Sequence, residues 1–394
     1  EYFPAEDKVL VDRLSQILKT DSTVVGATGL FSLVFLGNPL LAWGLVNLLQ
    51  SFFYLLFMNV NYPMNVQIFF SVFSMSKLDF VPNPLNKIFG FMDEDILPAP
   101  EKFIENDYSG LFIQTGGTMV VICLLGYLAY LTATIILKLF PNMSDKKQTF
   151  FLNLQKKLRW SGILQLWMAS YLELTYAATL QILSLDFTTL TYSISSVLGL
   201  LVFAANIFLP LFLLSIVHRQ SKKCFSLRGY RVPRQYAILT EGCKQQNKYS
   251  RWYHPMVLVR RLMQAGVIVF TYDQPMLQAN LVLMTIVAAF VTFLKARPLE
   301  ETKNNFLELF NEFGFIIIHI LIRYLAADDS KAEYSGKVRM NIGWAMIFVC
   351  CAILTVQTLV ILFEYLKAIR DLYRRLCKSK TAKQPLEYNQ QSSN

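Results

Sequence analysis

The sequence is poor in charge, since only 16% of its 394 residues are Asp, Glu, Lys or Arg, against roughly 25% in soluble domains. Hydrophobic residues make up 54% of the chain, and the mean hydropathy is +0.39. Several apolar runs reach the length of about 18 residues that a helix needs to cross a bilayer. The scarcity of charge excludes an ordinary soluble domain. It indicates an all-α fold, a polytopic bundle of transmembrane helices.

The sequence also lacks the short motifs of common catalytic and metal sites. It has no CxxC pair, no Cys/His cluster with zinc spacing, no glycine-rich phosphate loop and no Ser/His/Asp hydrolase motif. Its six cysteines do not form a disulfide framework, because they are divided between apolar runs (Cys123, Cys350, Cys351) and basic segments (Cys224, Cys243, Cys377). We therefore expect no enzyme activity, no bound metal and no cofactor.

The net charge of +10 would suggest a nucleic-acid partner in a soluble protein. Here the basic residues cluster between hydrophobic segments, which is typical of cytoplasmic loops beside anionic lipid. The predicted partners are membrane lipids with anionic headgroups and not nucleic acid, and homo-oligomerisation is left open. The residues predicted to contact headgroups are Lys146, Lys147, Lys156, Lys157, Arg374 and Arg375.

Three regions follow from the distribution of apolar runs. Residues 1–21 are an interfacial or linker segment, residues 22–366 a transmembrane domain, and residues 367–394 a basic cytoplasmic tail. The chain opens at Glu1 without an initiator Met or a signal peptide, so we expect a fragment or a processed chain. About nine spans are predicted, at residues 22–37, 39–59, 110–140, 160–185, 191–217, 256–272, 276–294, 306–327 and 340–365. Eight spans result if residues 22–60 form one helix kinked at Pro39.

The loops between the predicted spans alternate in charge. Residues 218–254 carry nine Lys or Arg and one acid, whereas residues 78–108 carry seven acids and two basic residues. By the positive-inside rule, loops 141–159, 218–254, 295–305 and the tail are cytoplasmic, and loops 78–108, 186–190, 273–275 and 328–336 are on the other side. The membrane itself is left open between the plasma membrane, a ciliary membrane and another endomembrane.

The predicted eighth span, FLELFNEFGFIIIHILIRYLAA, carries ionisable residues on one stripe. At 100° per residue, its ionisable residues lie within about 60° of one another; they are Glu308, Glu312, His319 and Arg323. A stripe of this kind can face protein or a water-filled path while the remaining faces stay apolar. Alternatively, Glu308 and Arg323 lie near the two interfaces and extend to them.

Glu173 lies near the middle of the predicted fourth span. A carboxylate at this depth faces the bundle interior and needs a polar partner. The predicted partners are Asn206, His319 or an arginine of the sixth span. The residue is either part of an ion or proton pathway, together with Asn206, Glu312 and His319, or one half of a structural hydrogen-bonded pair.

Arg260 and Arg261 lie one turn into the predicted sixth span. They either extend to lipid headgroups or form an ion pair with Glu308 or Glu312, which enter the membrane from the same side. The second arrangement would join the sixth and eighth spans at a cytoplasmic gate.

Several short runs resemble the TRP-like membrane domain of fungal flavin-carrier/TRP-type proteins. They are NPLLAWGLVNLLQSFFYLLFMNVNYP, LDFVPN and the stretch from RWYHPMVLVRRLMQAGVIVF to FLELFNEFGFIII. They are similar also to the C-terminal membrane region of very large ciliate cysteine-rich repeat proteins. The resemblance extends from about Leu40 to Phe363. It implies nine spans, an extracytoplasmic N-terminal region and a channel-like or transporter-like role.

Two functions of different classes are consistent with the sequence. One is a cation channel or ion transporter. The other is a non-conducting membrane anchor or lipid-binding scaffold for a large extracellular region. A continuous polar path from Glu173 to the stripe of the eighth span would favour the first function.

Overall fold

A computed structural model describes residues 39–77, 83–91, 97–141, 143–158, 163–226, 242–244 and 252–381, together with the single residues Arg13 and Ser250. The predicted interfacial segment 1–21, the first predicted span 22–37 and the tail beyond residue 381 lie outside this description. Within the described ranges the chain is all-helical, which confirms the predicted fold class. The helices are α1 Pro39–Phe53, α2 Met64–Ser71, α3 Pro84–Phe89, α4 Glu101–Ile104, α5 Phe112–Leu139, α6 Asp145–Lys157, α7 Ile163–Leu183, α8 Leu190–Ser226, α9 Tyr253–Phe270, α10 Pro275–Ala296, α11 Thr302–Lys331 and α12 Gly336–Thr381.

Two of the long helices, α10 and α11, have ends that local chemistry explains. Pro275 occupies the first turn of α10, where its missing N–H costs no helical hydrogen bond. Arg297 ends α10 and Ala332 ends α11, both in the left-handed conformation typical of helix C-termini, with φ angles of 40° and 52°. Short turns therefore follow helices of 22 and 30 residues.

Five of the described helices are long and apolar enough to cross a membrane. They are Phe112–Leu139, Leu190–Arg219, Pro275–Ala296, Thr302–Lys331 and Gly336–Lys367. They correspond to the third, fifth, seventh, eighth and ninth predicted spans. The helices at the fourth and sixth predicted spans, α7 and α9, do not meet the same criterion of length and apolar composition. Five apolar helices are compatible with an integral membrane protein, and the predicted number of nine spans is not established.

The segment predicted as the second span lies at the centre of the bundle. After α1, a 3₁₀-helical turn at Tyr54–Phe57 continues the chain, and Phe52 and Phe57 are fully buried. α2 and a second 3₁₀ helix, Val72–Lys77, then return alongside α1. The ring centroid of Phe52 lies 6.3 Å from that of Phe70 and 5.5 Å from that of Phe73. Residues 64–77 thus form one arm of a buried hairpin, because their aromatic rings pack on α1.

The predicted non-cytoplasmic loops meet at one end of the bundle, here named the acidic end. The backbone N–H of Lys102 donates to the Tyr272 hydroxyl at 3.0 Å, and the Asn59 side chain donates to the Tyr272 carbonyl at 2.8 Å. The backbone N–H of Asn61 donates to Asp329 at 2.8 Å. The hairpin of α1 and α2 therefore points its tip towards the acidic end.

The predicted cytoplasmic loops meet at the opposite end, here named the basic end. The backbone N–H of Lys244 donates to the Pro298 carbonyl at 2.8 Å, and that of Glu300 donates to the Gly242 carbonyl at 2.9 Å. Lys303, in the first turn of α11, forms an ion pair with Glu364 of α12. The two ends thus group the loops as their charges predict.

We expect single cysteines at the two ends to react from opposite sides of a sealed vesicle. Asp273→Cys and Glu333→Cys report on the acidic end, and Lys147→Cys and Lys295→Cys on the basic end, since all four native residues are exposed. A membrane-impermeant maleimide should label one pair from outside and the other only after permeabilisation. Equal labelling of both pairs from outside would contradict the arrangement.

Replacing Cys224 and Cys377 with serine removes two native thiols that the maleimide could otherwise label. Cys243 can stay in place, because it is fully buried. Burial raises the pKa of its thiol to about 12, and the neighbouring Glu300 carboxylate adds to the rise. Maleimides react with the thiolate, so Cys243 should not be labelled at neutral pH.

Candidate functional site

Glu173 lies inside the bundle, on the part of α7 where every residue from Ser170 to Gln181 is buried. Its side chain is 3% exposed. The Tyr108 hydroxyl contacts both carboxylate oxygens, at 2.7 and 2.8 Å. The Tyr54 hydroxyl donates to Oε2 of the same carboxylate. A buried carboxylate is thus met by two phenolic donors, which lowers the cost of keeping it away from water.

The two tyrosines come from different parts of the chain. Tyr54 belongs to the 3₁₀ turn at the end of α1, and Tyr108 to the loop that follows α4. Their hydroxyl oxygens lie 3.3 Å apart. Burial raises the pKa of Tyr108 well above its usual range, and the Glu173 carboxylate raises it further. Tyr108 therefore stays protonated and remains a hydrogen-bond donor.

Aromatic rings surround this cluster of Tyr54, Tyr108 and Glu173, here named the tyrosine–glutamate cluster. Tyr176 stacks on Tyr54 with ring centroids 4.5 Å apart, and Phe57 meets Tyr108 edge-on at 4.7 Å. These rings make the local dielectric low, so hydrogen bonds to the carboxylate are stronger than they would be in water.

A second cluster joins α9 to α11. Arg260 Nη1 forms an ion pair with Glu312 Oε1, and the two side chains are 23% and 11% exposed. Glu308 lies one turn earlier on α11, on the face of Glu312, and its carboxylate faces the Tyr253 hydroxyl. The structure therefore forms one of the four predicted arginine–glutamate pairs, and it does so within the bundle, where snorkelling to lipid is not needed. The residues Tyr253, Arg260, Glu308 and Glu312 are here named the arginine–glutamate cluster.

Arg261 lies between the two clusters. It is 8% exposed and close enough to Tyr54, Tyr253 and Glu308 to interact with them electrostatically. Within the described part of the chain, its guanidinium takes part in no ion pair or hydrogen bond. Arg261 is thus a buried charge near residues of both clusters.

Two of the three predicted partners of Glu173, Asn206 and His319, have other hydrogen-bond partners. Asn206 accepts from Trp167 Nε1 at 2.9 Å and donates to Thr175 Oγ1 at 3.0 Å. The Tyr171 hydroxyl donates to its backbone carbonyl at 2.7 Å. These bonds join α7 to α8 and leave Asn206 outside the tyrosine–glutamate cluster.

His319 has one ring nitrogen with a partner and one without. Its Nδ1 lies 2.8 Å from the Phe315 carbonyl oxygen, which can only accept, so Nδ1 carries the proton. Nε2 is then a bare acceptor, and it is buried without a partner. His319 lies two turns beyond Glu312 on the same face of α11, as the predicted stripe requires.

Several residues that organise the interior have no signal in the sequence. Tyr54 and Tyr108 lie in an aromatic run and an acidic loop, where neither spacing nor charge marks them. Gln181 accepts from the backbone N–H of Phe112 at 2.8 Å and from Ser195 at 2.7 Å. Arg339 forms ion pairs with Asp328 at 2.5 Å and Asp329 at 2.7 Å at the acidic end. The polarity of Gln181 inside an apolar stretch could have suggested its importance, whereas Tyr108 and Arg339 lie in polar stretches that gave no such signal.

The predicted headgroup residues lie on α6 and on the last turns of α12, among the helices that reach the basic end. Lys146, Lys147 and Arg374 are exposed. Lys156, Lys157 and Arg375 lie in the same helices, but their side chains are outside the description. α6 is tied to α5 by a bond from Gln155 Nε2 to Thr134 Oγ1 of 3.0 Å.

Comparison with known proteins adds no relative. No protein-family model, curated protein or solved structure matches this chain. The resemblance to the TRP-like membrane domain stays a prediction.

Proposed function

We propose that this chain is a multi-pass membrane protein that moves a cation through the interior of its helix bundle, as a channel or an ion transporter. The observation that supports this proposal is a set of charged side chains in the interior of the bundle: Glu173, Arg261 and Glu312 are buried, and Arg260 and Glu308 are half-buried. One charged side chain at the centre of a spanning helix costs about 2.5–3.5 kcal/mol on insertion scales. Five charged groups withdrawn from water to this extent are a large cost for a bundle that has no use for them.

The geometry suggests how an ion could pass. From the acidic end, the loop carrying Tyr108 covers the tyrosine–glutamate cluster. Of the carboxylates in the two clusters, Glu173 is the one that a cation or a proton would meet first from this end. The Tyr54 and Tyr108 hydroxyls could rotate to interact with the passing ion. From the basic end, the ion pair between Arg260 and Glu312 closes the way. We propose that opening of this pair is the gating step.

The proposal extends to the surroundings of the bundle. The basic end faces the cytoplasm, where α6 and the end of α12 lie against anionic lipid headgroups. The protein belongs to the TRP-like membrane family and resides in the plasma membrane, a ciliary membrane or another endomembrane. These statements are supported by the charge distribution and by the sequence resemblance.

Reconstituted vesicles test the proposed function. We expect the wild-type protein to carry Na⁺, K⁺ or H⁺ across liposomes at a rate well above that of protein-free vesicles. Arg261→Gln should reduce this flux at least about tenfold, because it removes the charge that links the two clusters. The matched control is Arg323→Gln, since Arg323 is an exposed arginine of α11 that bonds Asn280 at 2.8 Å. No flux from correctly folded wild-type protein would overturn the proposal.

An alternative function is a non-conducting membrane anchor or lipid-binding scaffold. It is favoured by the length of α12, which has 46 residues and continues past its apolar part at Lys367. The continuation is basic and would form a positively charged helix beside the membrane. In the same vesicles, a scaffold would bind phosphatidylserine-containing membranes through this basic helix and would carry no ion.

A further inference from the structure

Short contacts link four oxygen atoms in the tyrosine–glutamate cluster. The Tyr108 hydroxyl oxygen lies 2.7 and 2.8 Å from the two carboxylate oxygens of Glu173, and it lies 3.3 Å from the Tyr54 hydroxyl oxygen. The Tyr54 hydroxyl contacts Glu173 Oε2 as well. All three residues are buried, so bulk water does not compete for these contacts.

The number of protons in the cluster decides which contacts are hydrogen bonds. A phenol carries one donor hydrogen, and an ionised carboxylate carries none. With Glu173 ionised, two protons are present, and both hydroxyls donate to the carboxylate. A third proton on Glu173 Oε1 closes a ring, in which Tyr54 donates to Glu173, Glu173 donates to Tyr108 and Tyr108 donates to Tyr54.

The same oxygen positions therefore serve both the ionised and the protonated carboxyl group. Uptake of a proton needs only a rotation of the Tyr108 O–H, because no oxygen atom has to move. The aromatic rings around the cluster disfavour a charge, whereas the two hydroxyl donors stabilise one. These opposing effects keep the two forms close in free energy.

Arg261 of α9 is a charged group near the cluster. Its guanidinium interacts electrostatically with Tyr54, and a positive charge at this place favours release of the proton. Arg260 beside it is held by Glu312. α5 and α8 also pack on α7, and their described charged residues are exposed near the basic end: Lys138, His218 and Arg219.

A metal cation fits this cluster less well than a proton does. Hard cations take about six or more oxygen ligands, whereas the cluster brings four oxygens together. Two of these are hydroxyls, whose hydrogens would have to turn away from the carboxylate. Within the described part of the chain, no group of three or more His, Cys, Asp or Glu side chains is placed to hold a metal ion.

A short turn connects the cluster to the solvent at the acidic end. Asp107 is exposed, and the next residue, Tyr108, is 3% exposed. Asp107 has a left-handed backbone, with a φ angle of 64°, and the backbone N–H of Tyr108 donates to the Phe103 carbonyl at 2.9 Å. A proton that arrives from the acidic end therefore meets Tyr108 before Glu173.

We propose that Glu173 binds and releases one proton inside the bundle, and that the proton enters from the acidic end through Tyr108. The proton site rests on the proposed function, for which it names the transported cation as H⁺. On uptake, a hydronium ion gives a proton to the Tyr108 oxygen while the Tyr108 O–H proton passes to Glu173 Oε1. Two O–H bonds break and two form, so Tyr108 stays a neutral phenol and the carboxylate becomes a carboxylic acid.

Infrared difference spectroscopy of the purified full chain in detergent measures this protonation. The wild-type protein should show the C=O stretching band of a protonated carboxyl group, which grows as the pH falls and shifts in D₂O because its proton exchanges. Glu173→Gln should lose the band, since it keeps the shape of the side chain without an ionisable group. Glu105→Gln is the control and should keep it, because the Glu105 side chain is 48% exposed at the acidic end.

Tyr108→Phe tests the route of the proton. It keeps the ring and removes the hydroxyl, so the band should persist while its exchange in D₂O slows at least about tenfold, since a positioned proton donor contributes this much or more to a transfer rate. The control is Tyr176→Phe, which should exchange like the wild type, because the Tyr176 hydroxyl has no hydrogen-bond partner in the described part of the chain.

The outcomes separate the proton site from the proposed function. If no band is lost in Glu173→Gln, or if the band never shifts in D₂O, Glu173 does not exchange a proton and the site is wrong. Exchange at the wild-type rate in Tyr108→Phe would overturn the route. A band that titrates and exchanges in a protein without flux in vesicles would leave the site standing and overturn the proposed function. Flux of Na⁺ or K⁺ without such a band would do the reverse.

Discussion

Replacing Glu312 with Ala should destabilise the protein by about 3–5 kcal/mol, because it strands the Arg260 guanidinium in the interior of the bundle. Most of the ion pair is withdrawn from water, since the Arg260 and Glu312 side chains are 23% and 11% exposed. Arg260→Ala should have an effect of similar size, because it leaves two neighbouring carboxylates, Glu308 and Glu312, without the positive charge of Arg260. We expect both single variants to show low yield and a low thermal unfolding midpoint in detergent.

The paired replacement Arg260→Met with Glu312→Leu should be milder than either single change. Substituting a buried ion pair by apolar residues of similar volume is often neutral or stabilising. The double-mutant cycle should therefore give an interaction energy of at least about 2 kcal/mol, within the range for residues in direct contact. Additive single and double effects would show that the two side chains are not coupled in the folded protein.

A matched control is the exposed pair of Lys331 and Glu333. Their charged groups lie 3.8 Å apart, and both side chains are more than 60% exposed. Glu333→Gln should change the stability by less than about 1 kcal/mol, as is usual for ion pairs at the surface. A comparable loss at both sites would mean that charge removal is harmful for reasons unrelated to burial.

An ion pair between an arginine of α9 and a glutamate of α11 could be predicted, because it depends on the depth of these residues along the two helices. When two helices enter the membrane from the same side, residues at similar distances from their first residues lie at the same depth. The sequence left four pairs open, and the choice between Arg260 and Arg261 depends on the rotation of α9. That rotation is set by packing against α7 and α10, which periodicity does not reveal.

The partners of Glu173 could not be predicted for a different reason. Tyr54 is separated from Glu173 by 119 residues, and Tyr108 by 65. Tyrosine in an apolar run is compatible with lipid contact, with the core and with an interface, so residue type does not distinguish these places. The central position of α1 and α2 could not be predicted either, because a segment buried in protein and one buried in lipid have the same apolar composition.

Glu173→Leu should be the most damaging change in the tyrosine–glutamate cluster. It removes the acceptor of two buried hydroxyl groups, and each unsatisfied group costs about 1–3 kcal/mol. We expect a loss of about 2–6 kcal/mol in the free energy of unfolding. Glu173→Gln keeps one acceptor oxygen and the volume of the side chain, so it should fold with a smaller loss. It should nevertheless alter the ion selectivity or the pH dependence of the flux, since it cannot exchange a proton.

A neighbouring tyrosine supplies the control. The Tyr176 hydroxyl is buried and has no hydrogen-bond partner in the described part of the chain. Tyr176→Phe removes a polar group that makes no bond, so it should leave the stability unchanged or increase it. Tyr54→Phe and Tyr108→Phe each remove a donor from a buried carboxylate and should each cost about 1.5–3 kcal/mol.

The triple variant Glu173→Leu, Tyr54→Phe, Tyr108→Phe separates a structural role of the cluster from a functional one. It replaces all the bonded groups by apolar groups of similar shape, and such replacements can be nearly neutral. The triple variant should thus be more stable than Glu173→Leu alone, as thermal unfolding in detergent will show. Its flux in liposomes should stay at the background of protein-free vesicles, because it has lost the carboxylate that a cation meets first. A triple variant that folds and conducts like the wild type would return Glu173 to a purely structural role.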